Sequence, residues 1–131
     1  MPHFIIEYSA NLEPAVDIAA LCEAVRATAA GMDCFPTPGI RVRAFRADHV
    51  AMADGDPQHG FVDISIRLRE GRPQEVKEAA CEGIFEVARA FLAPYMDDHS
   101  LALSLEMRDI DASLSPKTGT VRRHLSGQTF G

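Results

Sequence analysis

Apolar and polar positions along this chain follow two rhythms, a short one and a longer one, and the pair is run through twice. His3-Phe4-Ile5-Ile6-Glu7-Tyr8 is rich in strand formers and predicts a strand over residues 3–9. Asn11 offers a cap for a helix starting near residue 12, with Pro14 in the first turn, where its missing N–H does no harm. Ile18, Leu21, Cys22, Val25 and Ala29 recur at helical spacing, and Gly31 stops them. Phe35-Pro36-Thr37-Pro38-Gly39 is a rigid turn, and Ile40 to Phe45 alternates as a strand. A connection dense in turn residues, Ala53-Asp54-Gly55-Asp56-Pro57, follows.

The cycle then restarts. Val62, Ile64, Ile66 and Leu68 face one way while Asp63, Ser65, Arg67 and Arg69 face the other, a strand over 61–69. Gly71-Arg72-Pro73 opens a helix, with Pro73 fixing φ for its first turn. Val76, Ala80, Ile84, Val87, Ala88 and Phe91 form its apolar stripe. Leu101, Leu103, Leu105 and Met107 alternate with polar residues in a last strand. The order is β-α-β twice, offset by about sixty residues, a weak internal repeat.

Each half is expected to be a right-handed crossover with two parallel strands. The predicted fold is therefore α/β in the α+β sense: a four-stranded mixed sheet with two helices on one face. Residues 1–115 form the domain, with repeats at about 2–58 and 59–110. Residues 116–131 form a polar arm, either mobile or pinned to a neighbouring subunit. The sheet's uncovered face is expected to carry Glu7, Arg43, Asp63, Ser65, Arg67, Ser104, Glu106 and Arg108, and to meet either solvent or another subunit.

Composition narrows the function. A chain of 131 residues suits one domain, and 47% hydrophobic residues suffice for a core. A net charge of −6 lacks the basic footprint of a nucleic-acid binder. No apolar run spans a bilayer, and MPHFIIEYS lacks the features of a signal peptide, so a cytoplasmic location with no membrane partner is expected. Three cysteines without a CxxC pair fit reduced thiols. The five histidines show no metal-ligand spacing, and no phosphate-binding glycine loop or serine elbow is present, so neither metal nor cofactor is called for.

Three positions can carry chemistry. Pro2 follows the initiator Met1, which is normally removed before a small residue, leaving a free secondary amine. An α-amino group titrates at about 7.7–8.0, and burial or nearby positive charge lowers that value. A neutral amine at pH 7 can take and return a proton. Arg41 follows a Pro-Gly turn at a strand start, and Arg72 precedes a helix. Guanidinium groups bind carboxylates bidentately, so this pair suits a substrate with two or more carboxylates. Taken singly, Met-Pro and a lone arginine are ordinary features of many surfaces.

Taken together, PHFIIEYSANL, FPTPGIRVRAF, MADGDPQHGFV, EGRPQEVKEAACEGIFEVARAFL and LALSLEMRDID resemble the 5-carboxymethyl-2-hydroxymuconate isomerase family of the tautomerase superfamily, over nearly all of residues 2–115. The stretch Leu68 to Glu78 is also similar to the first strand-to-helix junction of the short 4-oxalocrotonate tautomerases. The resemblance implies keto–enol isomerisation of a di- or tricarboxylate with no cofactor. It makes Pro2 the acid–base group, Arg41 the stabiliser of the dienolate, Arg72 the holder of a distant carboxylate and a homotrimer the assembly. Phe35, or Phe4, is expected as an apolar wall near Pro2. Each half supplies only part of this set, which implies one site per chain. The alternatives are another proline-based reaction, or a ferredoxin-like ligand-binding module in which Pro2 is incidental.

Overall fold

The structure, a computed structural model, describes residues 1–125. Its strands are β1 (His3–Ser9), β2 (Arg41–Ala47), β3 (Gly60–Arg69) and β4 (Leu101–Ile110), and its helices are α1 (Ile18–Ala30) and α2 (Gln74–Asp98). The sheet order is β2-β1-β3-β4. β1 runs parallel to β2, and β3 parallel to β4. The two halves meet through the antiparallel β1–β3 pair, from His3 opposite Arg67 to Tyr8 opposite Val62. This is the expected mixed sheet with two helices on one face.

Alternation decides which face is covered. Phe4, Ile6 and Tyr8 of β1 and Val62, Ile64, Ile66 and Leu68 of β3 are buried. They pack beneath Leu21, Val25 and Ala29 of α1 and Ala80, Ile84, Ala88 and Leu92 of α2. Side chains of successive strand residues point to opposite faces, so their neighbours lie on the open face. There Glu7 stands between Phe45 and Asp63, and His3 between Arg41 and Arg67. Ser104 Oγ donates to Asp63 (2.7 Å), and Arg108 donates to Ser65 (3.3 Å).

Two local expectations change. Asn11 caps no helix. Residues Ala10–Leu12 form a 3-10 turn, and Asn11 instead donates to the His59 carbonyl (3.0 Å) while accepting from Ser9 Oγ (2.7 Å). The chain turns through Pro14 so that Leu12 and Val16 are both buried, and α1 begins only at Ile18. Asp17 is its cap, extended in backbone and accepting from the Ala20 amide (3.0 Å). The second helix also runs on past its apolar stripe, through the exposed Pro94 to Asp98.

The carboxy-terminal segment takes a defined path through residue 125. After a turn at Ala112–Leu114 it passes the amino-terminal end of the sheet, and a second turn, Val121–His124, lies against the turn Thr37–Gly39. The described part of the arm therefore lies on its own chain; residues 126–131 fall outside the described residues. Among the described residues, no helix is long and apolar enough to cross a membrane.

Asp17→Ala removes a side chain that satisfies one of the free amides of the first turn, and should cost about 1 kcal/mol of stability. Urea denaturation would show this as a lower midpoint at unchanged slope.

Candidate active site at the amino-terminal end of the sheet

The antiparallel β1–β3 pair puts the first residues of the chain beside the last residues of β3. Pro2 is buried at the start of β1, and its carbonyl accepts from the Arg41 amide (3.3 Å), which extends the parallel ladder by one bond. Gly39 lies directly against it: a Cβ there would sit 2.9 Å from Pro2 Cδ and 3.2 Å from Met1 Cα. The turn needs glycine here for space, because the chain must pass this close to admit Pro2. Met1 stands next to Arg41, whose Nη2 donates to Met1 Sδ (3.2 Å).

Arg72 follows β3 in the loop before α2, where its guanidinium donates to the Arg69 carbonyl (3.0 Å). It is near enough to the Met1 ammonium to lower its pKa, and near enough to Cys34 to offset part of the rise that burial imposes on that thiol. Pro2, Arg41 and Arg72 thus gather at one end of the sheet. Phe35 does not join them on a cavity wall. It is 2% exposed and meets Phe4 edge-on, with centroids 5.0 Å apart, so both rings belong to the core beneath the turn.

The charge distribution is lopsided. Of thirteen lysines and arginines, five form ion pairs among the described residues: Arg26, Arg46, Lys77, Arg89 and Arg108. The rest have no carboxylate partner there. They are Arg41 and Arg43 on β2, Arg67 and Arg69 on β3, Arg72, and Lys117, Arg122 and Arg123 on the arm. All lie toward the end of the sheet that holds Pro2. In a chain with 19 acidic residues, this concentration of unmatched positive charge favours an anion at that end.

The field is felt by the groups inside it. The Met1 ammonium falls to about 6, first through burial and then through Lys117, Arg72 and Arg69. His3 falls to about 4, again through burial first, then through Arg67, Arg41 and Arg43. Each cation disfavours a further positive charge. Arg43 lies 3.3 Å from His3 Nδ1, a contact that suits a neutral ring.

Two cavities open here. One of about 330 Å³ lies among Met1, His3, Arg41, Arg69, Ile110 and Lys117. The other, of about 530 Å³, lies between the Pro36–Gly39 turn and the arm at Lys117 and Arg122. Arg69 and Lys117 are the residues that sequence reasoning missed. The alternation of β3 marked Arg69 only as an outward side chain, and nothing local marked Lys117. His59 sits at the other end of the sheet, where it ties Ser100 (2.7 Å) to Asp54 (2.8 Å). Among the described residues, no group of three or more His, Cys, Asp or Glu side chains could hold a metal ion.

The repeat offers a second, equivalent end, and packing closes it. Gly60 begins β3 as Pro2 precedes β1, and a Cβ on it would lie 2.9 Å from both Leu12 Cδ1 and Ser9 Oγ. Leu12, which with Glu13 falls where the offset of about sixty residues puts the counterpart of Arg72, is fully buried.

Gly39→Ala forces a methyl into the backbone and ring of residues 1 and 2. Overpacking of this kind costs about 1–3 kcal/mol, so a drop in melting temperature is expected, with a shift of Pro2 visible in a crystal structure of the variant.

Comparison with known proteins agrees with this fold. The family model for 5-carboxymethyl-2-hydroxymuconate isomerase matches residues 2–125. The chain is 35% identical over 121 residues to the 5-carboxymethyl-2-hydroxymuconate Delta-isomerase of Escherichia coli, covering 92% of this chain and 96% of that protein. A crystal structure of a 5-carboxymethyl-2-hydroxymuconate delta-isomerase superposes with a TM-score of 0.87 at 29% identity, covering 98% of this chain and 96% of the other. The isomerase from Deinococcus radiodurans R1 gives 0.86 at 31% identity, over 94% and 92% of the two chains.

Proposed function

Because the chain belongs to the 5-carboxymethyl-2-hydroxymuconate isomerase family, we propose that it is a tautomerase whose acid–base group is the amine of Pro2, freed by removal of Met1. The observation that carries this reading is the buried start of β1, set among cations that have no acidic partners among the described residues. An amine there is pushed toward its neutral form, which is the form a base needs at pH 7. Pro2 is one residue from the ammonium already held at about 6, and it sits in the same field.

In this mechanism the neutral amine takes the proton from the 2-hydroxyl of 5-carboxymethyl-2-hydroxymuconate. Negative charge spreads over the dienolate and its carboxylate, where Arg41 stabilises it. The protonated amine then returns the proton to a carbon of the chain, giving the 2-oxo-3-ene isomer. Arg72 grips a distant carboxylate and fixes which carbon faces the amine. Positive charge already in place where the enolate develops needs no reorganisation during the reaction. Met1, beside Arg41, stands in the room a substrate needs, so its retention would both acylate the base and crowd the site.

We assign this isomerisation to cytoplasmic aromatic catabolism, the homoprotocatechuate branch of 4-hydroxyphenylacetate breakdown. The open sheet face supports a homotrimer. It exposes Phe45 at 55% beside Glu7, and it carries acids and bases in neighbouring rows that a subunit interface could pair.

The test joins intact mass with ultraviolet assays of ketonisation. The Met-free protein should be active, and Pro2→Ala should lower kcat about 10²–10⁴-fold, the range for loss of a general base. A lowered amine pKa means that activity is full above that pKa and is lost as the pH falls through it. The acid limb of kcat/KM should therefore lie below the ordinary α-amino range of about 7.7–8.0. Equal turnover by the Met-retaining and Met-free forms would remove Pro2 from the chemistry, and turnover by neither form would favour a ligand-binding module.

A further inference from the structure

The arm is anchored on both sides of the site. At its start, the Glu70 amide donates to the Ile110 carbonyl (3.2 Å), carrying the β3–β4 pairing to the last residue of β4. Asp111 then caps the next turn, accepting from the amide (3.0 Å) and the hydroxyl (2.6 Å) of Ser113. At its far side, the turn Val121–His124 lies on the turn Thr37–Gly39, whose glycine touches Pro2. The residues between must cross the space over Met1, and Lys117 falls in that span.

Lys117 borders both cavities, together with Met1 and Arg41. It is exposed and has no ion pair among the described residues. Its ammonium is close enough to the chain's first nitrogen to be the leading charge acting on it. An unpaired ammonium held against other cations is electrostatically unfavourable unless an anion joins them. A lysine suits a single carboxylate on a flexible branch, because it is a compact charge on a long stem and demands no planar partner.

The substrate proposed above has three carboxylates, and the two arginines answer two of them. We propose that Lys117 binds the third, the carboxymethyl branch, and that the arm thereby selects tricarboxylate over dicarboxylate hydroxymuconates. This rests on the tautomerase reading for the identity of the substrate. The recognition itself, of a tricarboxylate by a cation on the arm, can be measured without turnover.

The experiment compares kcat/KM for 5-carboxymethyl-2-hydroxymuconate and for 2-hydroxymuconate in wild type, Lys117→Met and Lys117→Arg. Thermal melts confirm that each variant is folded, as the exposure of this side chain leads one to expect. The tricarboxylate-to-dicarboxylate ratio should fall about ten- to hundredfold in Lys117→Met, the range for a lost charge-assisted hydrogen bond, mostly through KM. Lys117→Arg should restore most of it. A merely general electrostatic role would depress both substrates alike, and an unchanged ratio overturns the proposal.

If wild type turns over neither substrate, the tautomerase reading fails, and calorimetric titration with propane-1,2,3-tricarboxylate and pentanedioate decides the inference instead. A preference for the tricarboxylate that disappears in Lys117→Met sustains it. No preference in wild type, or one that survives the substitution, overturns it.

Discussion

The antiparallel join between β1 and β3 is the constraint on which the rest of this molecule depends. Each β-α-β half could bury one helix over two parallel strands, but neither half alone has enough strands or core to be stable. Pairing the two first strands in opposite directions makes one continuous sheet with one continuous core. It also sets the chain's first residues beside the end of β3, so that Pro2, Arg41, Arg69 and Arg72 meet across wide separations in sequence. Slipping this register by one residue would turn Phe4 and Ile6 outward, so the packing of the core and the placing of the site are specified by the same pairing.

The cations at that end run against the usual economy of a folded surface. Elsewhere in the chain, arginines find partners three residues away, as Arg26 does with Glu23 and Arg89 with Glu86. Around Pro2 like charges are held together by hydrophobic packing beneath them, not by their mutual energetics. Burial and repulsion act in the same direction on the groups there, and both keep protons off. An anion entering the site meets a field that was present before it arrived, and it relieves repulsion that the empty fold carries.

Strands, helices and their order were legible in the sequence because each has one clean period, whereas the helix ends were not, since α1 begins only at Ile18 and α2 runs through Pro94 to Asp98. The pairing of Pro2, Arg41 and Arg72 was legible only through a family resemblance, since their meeting is a matter of register. Asn11 misled because its side chain suits a helix cap and a loop tie equally, and a tertiary partner 48 residues away, His59, decided between them. Phe35 misled because an aromatic beside a proline turn can face either way; the T-shaped contact with Phe4 draws it inward. Lys117 had no local signal at all. Its position follows from two anchors, Asp111 and the turn at Val121–His124, and neither is informative until the path between them is seen.

At the other end of the sheet, Leu12 and Ser9 press against Gly60. In a tautomerase assembled from identical short chains, every substitution is copied to each position that symmetry makes equivalent. Here the two halves share a backbone plan but no longer share a fate. On the proposed reading, a residue near Pro2 can change for the sake of a substrate while its counterpart near Gly60 answers only to packing. The filled end is thus what frees the open one to specialise, since asymmetry within one chain lets selection on chemistry and selection on stability act on different residues of the same repeat.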